Sequence, residues 1–167
     1  MAINYKAIAK KLKFEGRAFI NGKYVNAIDG KKFETINPAT GEKLCSVAKC
    51  NHKDVNLAVK VSRKAFNSGV WSKSSPEYRK EVLLKFAELL RKAGDENSVL
   101  ECVDTGKLIA DCINEVANDA PMHFQWYGEL IDKVFGKVGP TEPSITSLIV
   151  KEPIGVVALS LIHISEP

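Results

Sequence analysis

What this sequence lacks narrows its chemistry first. Its eleven glycines never fall as Gly-x-Gly-x-x-Gly, so a dinucleotide loop of that kind is missing. Gly106-Lys107 is followed by Leu108 and has no upstream glycine of a phosphate-binding loop. The three histidines (His52, His123, His163) and four cysteines (Cys45, Cys50, Cys102, Cys112) share no metal-ligand spacing. There is no Cys-x-x-Cys pair and nothing that demands an oxidising compartment, so the thiols read as reduced, small and mostly buried. No apolar run is long enough for a secretory signal or a membrane span. These absences make a cytoplasmic protein, with no membrane partner, the expectation.

What is present describes a globular chain. Its 167 residues, 45% hydrophobic and 26% charged, suffice for one ordinary domain with a core. The net charge is +4, much of it near the start in Lys6, Lys10, Lys11, Lys13 and Arg17. Clustered cations attract polyanions, but no stacking aromatics or nucleic-acid motif accompany these. The cluster reads as the solvated face of a first helix, Asn4 to Phe14, with Tyr5, Ile8, Ala9 and Leu12 inward. No nucleic-acid partner is expected.

Turn chemistry divides the next stretch. Arg17–Ile20 and Lys23–Val25 flank Asn21-Gly22, a pair suited to a type I′ hairpin. Asp29-Gly30 leads into a strand, Lys32 to Ile36. Asn37-Pro38-Ala39-Thr40-Gly41 then separates it from a third run, Glu42 to Val47. A compact antiparallel region over residues 17–48 follows. Helical periodicity takes over from His52 to Ser68, with Val55, Ala58, Val59, Ser62, Ala65 and Phe66 on one face. Asn51 and Asp54 suit its start and Gly69 its left-handed stop. Ser75-Pro76 opens a second helix whose inner face is Val82, Leu83, Phe86, Leu89 and Leu90, with Gly94 as its stop. A third, short helix carries Val99, Leu100 and Val103 to Gly106. The pattern from Lys107 to about Phe135 is helical but contains Pro121, which predicts a kink or two helices. His52 reads as an exposed helix start and His123 as a helix-packing residue. Ile145 to Lys151 and Ile154 to Ala158 read as strands.

Asp104-Thr105-Gly106 matches the tripeptide of aspartic proteases. Those enzymes need two such aspartates sharing a proton on a β-rich scaffold. Here the tripeptide ends one helix and precedes another, so it reads as a helix stop beside a polar group.

Several segments together carry a family resemblance. They are Phe19-Ile20-Asn21-Gly22-Lys23-Tyr24-Val25, Asn37-Pro38-Ala39-Thr40-Gly41, Asp54-Val55, Ala65-Phe66 and Trp71-Ser72. Arg79, Asp104-Thr105-Gly106-Lys107 and Glu152-Pro153-Ile154-Gly155-Val156-Val157 complete the set. In this order, over about residues 17–158, the chain resembles the opening of the NAD(P)-dependent aldehyde dehydrogenases. Trp71 to Pro76 and Trp126 to Gly136 resemble the members that oxidise γ-glutamyl-γ-aminobutyraldehyde. The resemblance implies an α/β fold of which this chain supplies the N-terminal portion: an antiparallel β opening, a helical segment, and the start of a β hairpin and Rossmann-like sheet. Residues 1–16 would be a basic helix, 17–158 the dehydrogenase part, and 159–167 an atypical tail.

In that family a cysteine thiolate attacks the aldehyde, hydride passes to the nicotinamide, and a glutamate-activated water hydrolyses the thioester. The family nucleophile lies in a Gly-Gln-x-Cys context that no cysteine here has. The Pro-Trp-Asn segment expected soon after Ala158 is replaced by Leu159 to Pro167, read as an assembly artefact or an alternative exon. The chain is therefore expected to be an inactive fragment with no catalytic residue and no bound NAD or NADP. The rival expectation is a non-catalytic module that associates with full-length subunits. Two lesser sites carry over by resemblance. Thr35, Ile36 and Asp104 match positions that hold a monovalent cation, K+ or Na+; backbone carbonyls plus one carboxylate suit such a hard ion. Asp119 falls near acids that meet the substrate ammonium in amino-aldehyde relatives; otherwise it is a surface aspartate.

Overall fold

A computed structural model describes residues 3–159. The first helix, α1 (Tyr5–Ala9), is capped by the Asn4 side chain and stops well before Phe14. Lys6 and Lys10 would stack one turn apart, a like-charge pairing that weakens a lengthening helix. The expected inner residues Tyr5, Ile8, Ala9 and Leu12 are all half-buried. Beyond them the chain straightens and runs beside a strand: the Ala48 N–H donates to the Gly16 carbonyl at 2.7 Å. A Cβ on Gly16 would lie 2.1 Å from the Ser46 oxygen, so that approach excludes any side chain.

β1 (Ala18–Ile20) and β2 (Lys23–Val25) pair antiparallel through Asn21 (φ 56°) and Gly22 (φ 75°), as the type I′ reading requires. β3 (Lys32–Ile36) pairs with β4 (Lys43–Ala48), with a register shift between Thr35 and Ile36. The expected single β region is thus two separate ribbons. The Ala27–Gly30 turn redirects the chain, and the Ile28 N–H goes to Asp54 instead of a neighbouring strand.

α2 (His52–Ser68) has the expected capping box of Asn51 and Asp54, and Gly69 closes it at φ 77°. Its orientation corrects the sequence reading. Asp54, Ala58 and Val61 turn inward, while Val55 and Val59 remain 56% and 51% exposed. The hairpin meets α2 on the side of Asp54 and Val61, next to the apolar stripe, and the Asp54 bond to the Ile28 N–H holds it there. α3 (Pro76–Lys92), capped by Ser75, is turned likewise. Leu83 and Leu90 of the expected face are half-buried with Leu84 and Ala87 on the side towards α6 (Ala120–Leu130), Phe86 is part-exposed with its ring edge-on to Phe124 of α6, and Val82 and Leu89 are exposed.

Gly94 is not a left-handed stop. It opens α4 (Gly94–Thr105), where an added Cβ would meet that of Ala117 at 2.9 Å, so it is there for close helix approach. Pro121 does not interrupt the helical winding. A short turn of helix, α5 (Ile109–Cys112), passes into a π-wound segment, Ile113–Asp119, and directly into α6. The Ala120 N–H reaches back to the Glu115 carbonyl. The wider winding absorbs the steric and donor defects of a fully buried proline just beyond it.

β5 (Lys137–Gly139), to which the sequence reading gave no bounds, pairs antiparallel with β6 (Ser147–Ile149), shorter than the expected strand, in a hairpin such as the resemblance implied. Residues 154–158, expected as a strand, form none. The unusual tail falls, after Leu159, outside the described residues. No helix among those described is long and apolar enough to cross a membrane.

Candidate functional site

The candidate cation site forms where the β3–β4 ribbon meets the end of α4. The ladder shifts by one residue between Thr35 and Ile36, opposite Leu44 of β4, which has no partner of its own. From the facing element, α4 ends at Thr105 because Gly106 takes φ 76°, and its N–H caps the Cys102 carbonyl. This stop leaves Asp104 on the last turn. The Thr35 hydroxyl donates to Asp104 Oδ1 at 3.1 Å across 69 residues of sequence.

The two turns that frame the site also touch. A Cβ on Gly106 would lie 2.8 Å from Pro38 Cγ, so the Asn-Pro-Ala-Thr-Gly turn packs directly on the helix stop. Asn37 holds that turn through its side chain to the Ala39 N–H and its carbonyl to the Gly41 N–H. Two segments far apart in sequence thus form one corner of the fold.

Thr35 and Asp104 line an open cavity of ≈ 650 Å³. Phe14, Phe33, Glu15 and Glu101 are also on its wall, and no lysine or arginine is. The Glu15 carboxyl is held down to about 2, first by the hydrogen bond from the Arg17 side chain and then by that from its backbone. Glu101 was not singled out in the sequence. Its position three residues before Asp104, on the same helix face, was the available signal.

Asp119 lies elsewhere, at the end of the π-wound segment, exposed and absent from this cavity wall. Its carbonyl bonds to Nδ1 of His123 at 2.8 Å. His123 is itself exposed, which corrects its reading as a packing residue: the expected contact is replaced by this local bond. His52 is exposed at the first position of α2, as expected. Asp104 lies on the last turn of α4, next to the helix stop at Gly106.

A buried carboxylate that sequence reading treated only as a cap is Asp54. Oδ1 accepts from the Ile28 N–H at 2.8 Å and Oδ2 from the Asn51 N–H at 2.9 Å. It is a structural clasp with both oxygens engaged. The cysteines stay apart as free thiols: Cys112 is buried, Cys45 and Cys102 half-buried, and Cys50 exposed, against the expectation of burial for all four. Burial pushes the Cys112 thiol up, away from the thiolate form a nucleophile needs. Among the described residues no group of three or more His, Cys, Asp or Glu side chains could hold a metal ion. The described strands form antiparallel ribbons only. A dinucleotide in a Rossmann-like fold seats at the carboxyl ends of parallel strands.

Comparison with known proteins accounts for the arrangement. The chain is 41% identical over 157 residues to aminoacetaldehyde dehydrogenase of Pseudomonas aeruginosa, covering 94% of this chain and 32% of that protein. It is 40% identical over 150 residues to the NADP/NAD-dependent aldehyde dehydrogenase PuuC of Escherichia coli, covering 90% and 30%. Among solved structures, γ-glutamyl-γ-aminobutyraldehyde dehydrogenase of Burkholderia cenocepacia superposes with TM-score 0.80 at 42% identity, over 83% of this chain and 28% of that one. The Pseudomonas syringae indole-3-acetaldehyde dehydrogenase bound to NAD+ gives TM-score 0.87 at 38% identity, over 90% and 30%. The chain thus spans about a third of the length of the curated relatives it matches. Residues 24–160 match the model of the aldehyde dehydrogenase family, and to that family the chain belongs.

Proposed function

We infer that this chain serves the NAD(P)-dependent oxidation of an aldehyde bearing an amino group, as the N-terminal part of a dehydrogenase subunit. The observation that carries this reading is the 41% identity to an aminoacetaldehyde dehydrogenase across 94% of the chain. The nucleophilic thiol, the general base and the dinucleotide site belong to the rest of such a subunit. In the family's reaction the dinucleotide accepts the hydride. This chain's part is structural and electrostatic. Asp119, exposed at the end of the π-wound segment, is the carboxylate to meet a substrate ammonium. An assay of a subunit that contains this chain and the remaining two thirds tests the reading. Aminoacetaldehyde should be preferred over propionaldehyde in kcat/KM, and Asp119→Asn should erase the preference chiefly through KM. Equal use of both aldehydes would remove the amino-aldehyde part; no NAD(P)H formed from either would remove the activity.

The corner of Thr35, Ile36 and Asp104 is a monovalent-cation site in this reading. A hydroxyl, backbone carbonyls beside the register shift and one carboxylate offer hard oxygen donors, and no lysine or arginine is on the cavity wall. A ligand that binds only the folded state raises stability in proportion to the logarithm of its concentration. The thermal midpoint should therefore be higher in potassium or sodium chloride than in choline chloride of equal ionic strength. Asp104→Asn should abolish that difference, whereas a midpoint indifferent to the cation in the unsubstituted chain would remove the site.

A further inference from the structure

We propose that the cleft where the start of α3, the end of α6 and the exit of β6 converge binds an amphipathic carboxylate, an aliphatic chain of medium length that ends in one carboxylate group. The cleft is an open cavity of ≈ 520 Å³. Small-molecule sites commonly span about 300–1,000 Å³. Arg79 and Lys151 bring positive charge to the wall and Tyr127 a phenol, beside the apolar side chains of Leu130, Ile131 and Val134. No aspartate or glutamate is on this wall.

Both cations are available to a ligand. Arg79 is half-buried, and its guanidinium donates to the Ser74 carbonyl just before α3. That bond positions the side chain and leaves others of its five N–H donors to be used. Neither Arg79 nor Lys151 forms an ion pair among the described residues. Glu129 and Asp132, which flank Leu130 and Ile131, are committed elsewhere. Asp132 pairs with Lys80 and Lys133, and Glu129 accepts from the Gln125 amide. Glu152, next to Lys151, lines a different cavity. A carboxylate entering the cleft therefore meets two cations with no acid of the wall competing for them.

The chemistry of the wall selects the ligand. A guanidinium is a planar fork that matches a carboxylate through two parallel hydrogen bonds. A bare inorganic anion satisfies the cations but leaves the apolar lining wet. A neutral chain covers the lining but strips water from the cations without replacing it. Only a ligand with both parts satisfies both. The cavity at Asp104 has the opposite character, with acids and no lysine or arginine on its wall, so the two cavities sort ligands by charge. The inference is independent of the aldehyde reading and of the cation corner, since neither uses these residues.

The test titrates the full 167-residue chain with sodium octanoate and follows the backbone amides by heteronuclear NMR. The expected result is saturable shifts confined to the amides of the cleft, from Tyr127 to Val134 and at Lys151. Octanol, octylammonium and inorganic phosphate should each bind about tenfold more weakly than octanoate. Arg79→Gln should weaken octanoate about tenfold and Lys151→Gln about threefold, whereas Lys53→Gln, on α2, should leave it unchanged. Circular dichroism confirms that each variant keeps its helices. Lys151 is exposed, so its variant and the ligand series decide the matter even if Arg79→Gln unfolds the chain. The proposal is overturned if octanol binds as tightly as octanoate, if the shifts spread over the whole chain, or if folded glutamine variants bind octanoate like the unsubstituted chain.

Discussion

Asp54 holds two backbone N–H groups at once, and it is 2% exposed. One bond closes the capping box of α2; the other pins the Ile28 peptide of a loop twenty-six residues earlier. Asn at this position keeps one acceptor but sets an amide N–H₂ against a backbone donor. Asp54→Asn should therefore cost about 2–3 kcal/mol, the range for a charge-assisted bond lost in a buried setting. Urea unfolding would read this as a lower midpoint at unchanged slope; an unchanged midpoint would mean that α2 docks without the clasp. Gly106 illustrates a different limit on reading residues singly. Its positive φ was foreseeable from a helix stop, whereas its contact with Pro38 was not, because nothing local links the two turns.

At the scale of elements, ion pairs tie the ends of helices whose faces are apolar. Lys80 on α3 donates to Asp132, just past α6, at 2.6 Å. Lys133 and Lys80, by hydrogen bonding, hold the Asp132 carboxyl down to about 2 from its ordinary 3.8. A carboxyl depressed on folding adds stability that is fully present above its unfolded value and is lost as pH falls through the folded one. The contribution should fade between about pH 4 and pH 2, and Asp132→Asn should lose it at every pH. Thermal midpoints of the two proteins should thus differ at neutral pH and converge by about pH 2. A gap that persists at the acid end would assign the effect to packing. The magnitude stays small, since both side chains are substantially solvated.

Over the whole molecule, packing is uneven. α3, α4, α6 and the π-wound segment pack on one another around Ala87, Ser98, Cys112 and Pro121. α2 rests on the first hairpin alone among its principal contacts. Local opening follows local contact density. Native-state hydrogen exchange on the isolated chain should release α2 amides well before those of α3 and α6. Simultaneous release would show one cooperative unit. The same unevenness explains which parts of the fold were legible beforehand. Turns and caps such as Asn21-Gly22, Asn51 with Asp54, Ser75-Pro76 and Gly106 rest on φ preferences and hydrogen bonds a few residues long. Helix faces were legible only as stripes, because an amphipathic period shows that a face will be covered and not which element covers it first. On α2 and α3 only part of the expected face is covered: Ala58 and Phe66 on the one, Leu83 and Leu90 on the other.

The sequence by itself determined the family and its principal turns, caps and longer helices. Thr35, Ile36 and Asp104 entered as candidate oxygen ligands only through the resemblance to the family, position by position. Only the tertiary structure decided that Thr35 and Asp104 meet and that Asp119 lies apart from them. It alone decided that Pro121 is absorbed by π winding instead of a break, and that only part of the apolar face of α2 and of α3 is covered. Each of these depends on contacts between segments distant in the chain. Their strength is set by geometry and desolvation, which no short window of residues contains.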